Sequence, residues 1–121
     1  MDSLATFAAF WKSFNIPAYD ETSVPDNAPL PRITFSTSLS AFDDPVLLNA
    51  SIWYRSTSWG DITVKMYEIF NRLGPGGEVL ECDGGYLWLK RGTPFAQRIA
   101  DEDSAMRRYL LNVELDYLTA E

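Results

Sequence analysis

An α+β domain, with an antiparallel or mixed sheet of about five strands and two helices packed on one face, is the fold this 121-residue sequence predicts. Two observations carry that expectation, and a third sets the order of the elements. Apolar residues recur at helical spacing twice, as Leu4, Phe7, Ala8, Trp11 and Phe14 (with Ile16 beyond), and as Ile62, Met66, Ile69, Phe70 and Leu73. Apolar and polar residues alternate over 33–39, 46–55 and 108–117, the pattern of half-buried strands. Glycine and proline clusters then punctuate the chain and give the order α-β-β-α-β-β-β within one domain.

The first helix takes Asp2 or Ser3 as its cap and ends by Pro17. A Trp/Phe-rich helix can also lie on a membrane surface. Such a helix carries several Lys and Arg on its polar face, and this one has only Lys12, so core packing is the better reading. Residues 17–31, with four prolines, predict a connecting loop. Their spacing resembles a proline-rich ligand only as far as any connector would. In the first strand Ile33, Phe35, Thr37 and Leu39 alternate with Thr34, Ser36 and Ser38, and Asp43-Asp44-Pro45 predicts the turn after it.

Residues 46–73 organise the rest. Val46, Leu48, Ala50, Ile52 and Tyr54 share one face of a second strand, antiparallel to the first, and Leu47, Asn49, Ser51, Trp53 and Arg55 share the other. That second face, with Trp53 on it, is expected to meet something as well. The strand runs into the second helix, with Ser58 as the expected cap and Asp61 near its positive end. Gly74-Pro75-Gly76-Gly77 stops the helix. Residues 78–83 and 86–92 read as a hairpin closed at Asp83-Gly84-Gly85, and 93–103 as a less regular segment. The last strand is the clearest, with Tyr109, Leu111, Val113, Leu115 and Tyr117 opposite Arg108, Asn112, Glu114 and Asp116.

Composition narrows the function. A net charge of −7, spread over both halves, argues against nonspecific nucleic-acid binding, which needs clustered cations. A single cysteine excludes an internal disulfide framework. With an acid at position 2 and no long apolar run, a soluble protein of a reducing compartment without a membrane partner is expected. The absence of histidine removes Ser-His-Asp and Cys-His catalysis and imidazole-based zinc sites.

Cys82 lies between Glu81 and Asp83, which oppose thiolate formation, so a plain strand cysteine is expected. Gly74-Pro75-Gly76-Gly77 follows a helix and lacks the Lys-Ser/Thr of a phosphate loop. The acid groups Asp43/Asp44, Glu81/Asp83 and Asp101/Glu102/Asp103 could form a hydrolytic pair, but each sits at a predicted turn, where solvated acids are usual. The sequon Asn49-Ala50-Ser51 falls inside a strand. No cofactor, metal or catalytic residue is expected. What remains is an excess of aromatics (Trp53, Trp59, Trp88, Tyr54, Tyr86, Phe95) close in sequence to Arg55, Lys90, Arg91 and Arg98. Tyr, Trp and Arg dominate protein interfaces, so a protein–protein surface is expected of the set, against the plainer reading of core tryptophans and solubilising arginines.

The segments FNIPAYDETSVPDNAPLPRITF, ASIWYRSTSWGDI, GGYLWLKRGTPFAQRI and RRYLLNVELDYLTAE together resemble the small tail terminator proteins of long, non-contractile-tailed (siphovirus-type) phages and prophages. The resemblance runs from the first helix to the C-terminus. It implies an α+β subunit that joins copies of itself in a ring, usually hexameric, on the head-proximal end of the tail tube. The ring would stop tube polymerisation and offer an interface to a head-completion protein, with DNA passing through but not bound specifically. It implies a virion location at the head–tail junction, after assembly in the host cytoplasm. No residue of that family carries a defined role that transfers here. The segments 54–59 and 90–98 are the expected contacts with ring or tube, through Tyr54, Arg55, Trp59, Arg91, Phe95, Gln97 and Arg98. The alternatives are a head-completion or connector protein on the portal side and a small ligand-binding or carboxylate-dependent hydrolytic domain.

Overall fold

The computed structural model describes residues 1–37 and 45–119. The elements run α1 (Ser3–Lys12), β1 (Ala18–Asp20), β2 (Arg32–Phe35), β3 (Val46–Arg55), α2 (Gly60–Leu73), β4 (Glu78–Cys82), β5 (Gly85–Ile99) and β6 (Met106–Thr119). All six strands belong to one sheet ordered β1-β2-β3-β6-β5-β4, antiparallel except where β1 pairs parallel with β2. The fold is therefore α+β with two helices, as the periodicity predicts.

The sixth strand corrects the count. β1 falls inside the predicted loop, in the three residues after Pro17. Ala18 is buried, and the Pro17 carbonyl accepts from Ile33 N at 2.8 Å, which sets the chain beside β2. The first predicted strand is shorter than expected and ends at Phe35. Beyond it Thr37 turns its hydroxyl to Asp20 (2.9 Å) instead of continuing the ladder. Leu39 and the Asp43-Asp44 turn lie outside the described residues.

Two strands are longer than their patterns. β5 does not stop at Gly92 but crosses the irregularity between Arg91 and Ala96 and pairs with β6 again through Ile99. The step from Arg91 to Ala96 on β5 faces only the step from Val113 to Leu111 on β6, an odd offset that shifts the side-chain alternation and hides the continuation from a period-two reading. β6, the clearest strand in the sequence, is central and pairs with β3 on one side and β5 on the other.

Both helices pack on one face of the sheet. α2 lies over β3, β5 and β6 with Ile62, Met66, Ile69 and Leu73 buried. Its N-cap is Trp59, not Ser58. The Ser58 hydroxyl, one residue before the cap, still accepts from Gly60 N (3.0 Å), the first N–H of the helix, while Asp61 occupies the first turn as expected. α1 is capped by Asp2, whose carboxylate accepts from Ala5 N at 2.7 Å. It ends at Lys12, with Ser13 as C-cap and Asn15 at positive φ, before Pro17 is reached. Phe7, Trp11 and Phe14 are fully buried, so this helix is core rather than a surface anchor.

Trp11 stacks on Phe35 (centroids 6.5 Å apart), and Phe7 meets the same ring edge-on. The sheet curls around α1, which touches strands at both edges, β1 and β4. Arg72 ties the ends of the two helices together. Its guanidinium lies over Phe10 and Phe14 and reaches Glu78 at 3.1 Å. No helix among the described residues is long and apolar enough to cross a membrane.

Candidate assembly surface

The register of the sheet decides where each aromatic and arginine points. Ile33, Ile52 and Tyr109 are inward and buried, so their neighbours Arg32, Trp53 and Arg108 are aligned across β2, β3 and β6 on the outer face. Both guanidinium groups lie over the indole of Trp53, at 5.8 Å for Arg32 and 4.6 Å for Arg108. The Trp53 N–H donates to Thr34 (3.0 Å), Arg108 Nε donates to Ser51 (3.1 Å), and Arg32 reaches the Ala28 carbonyl (3.2 Å). Arg32 Nε is buried without a hydrogen-bond partner. Neither arginine pairs with a carboxylate among the described residues.

At the same end of the sheet, on the helix side, Trp59 is gripped by two more arginines. Arg98 stacks on it at 4.6 Å and Arg107 at 5.3 Å, and Tyr109 meets it edge-on at 5.4 Å. Arg98 Nε donates to the Tyr109 hydroxyl (3.0 Å), which also bonds to Thr63 (3.0 Å), and Arg107 donates to the Thr57 carbonyl (2.7 Å). Arg55 reaches Asp103 at 3.3 Å. Five of the seven arginines thus gather at one end of a strongly acidic chain.

This arrangement brings Trp59 and Arg98 together from the two segments that sequence reasoning singled out, while Arg55 lies at the same end on the outer face, against Asp103. Gln97 is exposed nearby, opposite Leu110 on the outer face. Tyr54 points inward and is half-buried, and burial together with Asp61 and Glu68 pushes its phenol pKa up. Arg91 and Phe95 lie further along β5, under α2. Phe95 is buried against Phe70 (5.4 Å), and Arg91 stacks on Phe70 while donating to its carbonyl (3.0 Å). Both fasten α2 to the sheet.

The row Arg32–Trp53–Arg108 escaped sequence reasoning. Trp53 stood out on the second face of β3, but which residues flank it depends on register between strands far apart in sequence. No local pattern encodes that.

The opposite end of the outer face is acidic. Glu81 pairs across from Tyr86 and Leu118, and Val79 from Trp88 and Asp116. Glu81 and Asp116 form no ion pair among the described residues, whereas Glu114 approaches Lys90 at 3.9 Å. Leu47, Val79, Tyr86 and Leu118 are exposed on this face at 63%, 54%, 41% and 38%, and neither helix covers it. An aromatic and aliphatic surface bounded by opposite charges suits protein contact.

Several of the acids are engaged in local structure. Asp2 caps α1, Asp83 pairs with the Met1 amino group (2.9 Å), and Asp101 and Asp103 accept backbone N–H groups in their own turn. Cys82 is buried, and burial followed by the Asp83 charge pushes its thiol pKa up, as its neighbours predict. Asp43 and Asp44 lie outside the described residues.

No protein-family model matches the sequence, and no curated protein matches it either. Among solved structures, a chain from the virion of a native gene transfer agent particle has the same fold. The likeness has a TM-score of 0.68 at 15% identity and spans 96% of this chain and 94% of the other.

Proposed function

We propose that the protein is a structural component of a phage-like virion, a subunit of the tail-terminator type. In this reading copies join in a ring, six-fold by analogy, on the head-proximal end of a tail tube. The ring stops tube growth and receives the head-completion protein. The observation that carries the reading is the fold shared, nearly end to end, with a chain of the gene transfer agent virion. The outer face and the arginine-rich end support it, because they combine exposed apolar surface with Tyr, Trp and Arg.

Arg55, Trp59, Gln97 and Arg98 are the residues we assign to contact with ring or tube. Tyr54, Arg91 and Phe95 act from beneath by holding those segments in place. A heterologous contact repeated by rotation closes a ring from two unlike patches, which a single surface could not supply. The chain's acidity suits a channel through which DNA slides without sticking.

Electron microscopy of particles lacking the gene tests the proposal. Over-long tubes, or tails unable to join heads, are expected. Normal tails on infectious particles would overturn it, and retention of the protein on DNA-filled heads but not on tails would move it to the portal side.

A further inference from the structure

Two ends of the outer face carry opposite charge, Arg32 and Arg108 at one and Glu81 and Asp116 at the other, and none of these four forms an ion pair among the described residues. Arg32 and Arg108 lie over the Trp53 ring with no carboxylate partner among the described residues. The ring shields one side of each guanidinium, Arg108 Nε is taken by Ser51 and one terminal nitrogen of Arg32 by the Ala28 carbonyl, and the other terminal N–H groups remain to donate outward. About 26 Å away along β6, counting the eight residues from Arg108 to Asp116 at roughly 3.3 Å each, Glu81 and Asp116 flank Tyr86 with the complementary charge.

We propose that the outer face binds a second copy of this chain head to tail, the Arg32–Trp53–Arg108 pole of one copy seating against the Glu81–Tyr86–Asp116 pole of the next. Charge complementarity selects the partner, since like poles repel and each copy offers one pole of each sign. Shape selects the arrangement. The sheet curls toward α1, so its outer face is convex, and two convex faces cannot touch at both poles at once. One pole pair meets per contact, and the contact repeats. The biological use of the contact rests on the ring reading above, but the contact itself is measurable without a tube.

Sedimentation of the purified full chain, over a range of concentration and salt, supplies the test. Wild-type protein is expected to self-associate at low salt and to weaken by about tenfold or more as salt rises toward 0.5 M. Arg32→Gln/Arg108→Gln and Glu81→Gln/Asp116→Asn are each expected to remain monomeric, with wild-type circular dichroism confirming that they fold. Mixed together, they restore a single pole pair and stop at a 1:1 dimer. A wild type that stays monomeric at low salt overturns the proposal. So do variants that associate like wild type, and a mixture that stays monomeric or grows beyond the dimer. If one variant fails to fold, the other mixed with wild type still decides: it caps growing chains and lowers the average mass, and an unchanged mass overturns the proposal. Self-association with no effect on tubes would leave this contact standing and remove the terminator reading. Tubes capped equally well by both variants would do the reverse.

Discussion

Thr6 is an apparent fault in an otherwise well-packed helix. It is buried in α1, and its hydroxyl has no hydrogen-bond partner. An unpaired buried hydroxyl costs free energy that an isosteric methyl does not. Thr6→Val is therefore expected to stabilise the protein by about 1 kcal/mol, read as a higher urea midpoint with an unchanged slope. Asp20 makes the opposite case. Its carboxylate accepts from Thr22 N (2.9 Å), Thr22 Oγ1 (2.8 Å) and Thr37 Oγ1 (2.9 Å). These bonds, the Thr22 backbone N–H first, hold its pKa below the usual carboxylate range. A depressed folded value means that the contribution is full above the unfolded pKa of about 3.9 and is lost as pH falls through the folded value. Asp20→Asn should melt below wild type at about pH 6, with the gap closing toward about pH 2. A gap that is constant with pH would show that these bonds do not depend on the charge.

At the scale of elements, the strands were legible wherever alternation was unbroken. β6 and β3 are read almost to the residue, because one face of each packs on the core and the other does not. The parts that were not legible share one cause, which is that long-range pairing decides them. β1 exists because Pro17 and Ala18 lie against β2, and the three residues Ala-Tyr-Asp carry no strand signal of their own. β5 hides its second half behind a break in register. The interface candidates split for the same reason. Trp59 and Arg98 meet at one end of the sheet, while Phe95, equally aromatic in sequence, is claimed by α2. The β4–β5 turn illustrates close pairing of another kind. Gly84 has φ 80°, and a Cβ on Gly85 would overlap the Leu118 carbonyl oxygen of β6. Gly85→Ala is expected to cost about 1–3 kcal/mol, because backbone rather than a flexible side chain must move. A melt unchanged from wild type would show that the strand end yields freely.

Seen whole, the molecule separates its labours by face. The inner face is sealed by two helices, and the outer face is left open, with unlike charge at its two ends. α1 spans the concave side and touches both margins of the sheet, with Trp11 wedged on Phe35 and Arg72 bracing the helix ends. That helix works like the fixed leg of a compass. In the ring proposed above, the arc it imposes would set the angle between one subunit's leading and trailing ends, and so the number of subunits that completes a circle. Trp11→Leu, which removes the stacked ring at a cost of about 2–4 kcal/mol, is expected to flatten the arc and yield circles with more members, countable in top views of the isolated assembly. An identical count in the variant would mean that the arc is fixed by the strands themselves.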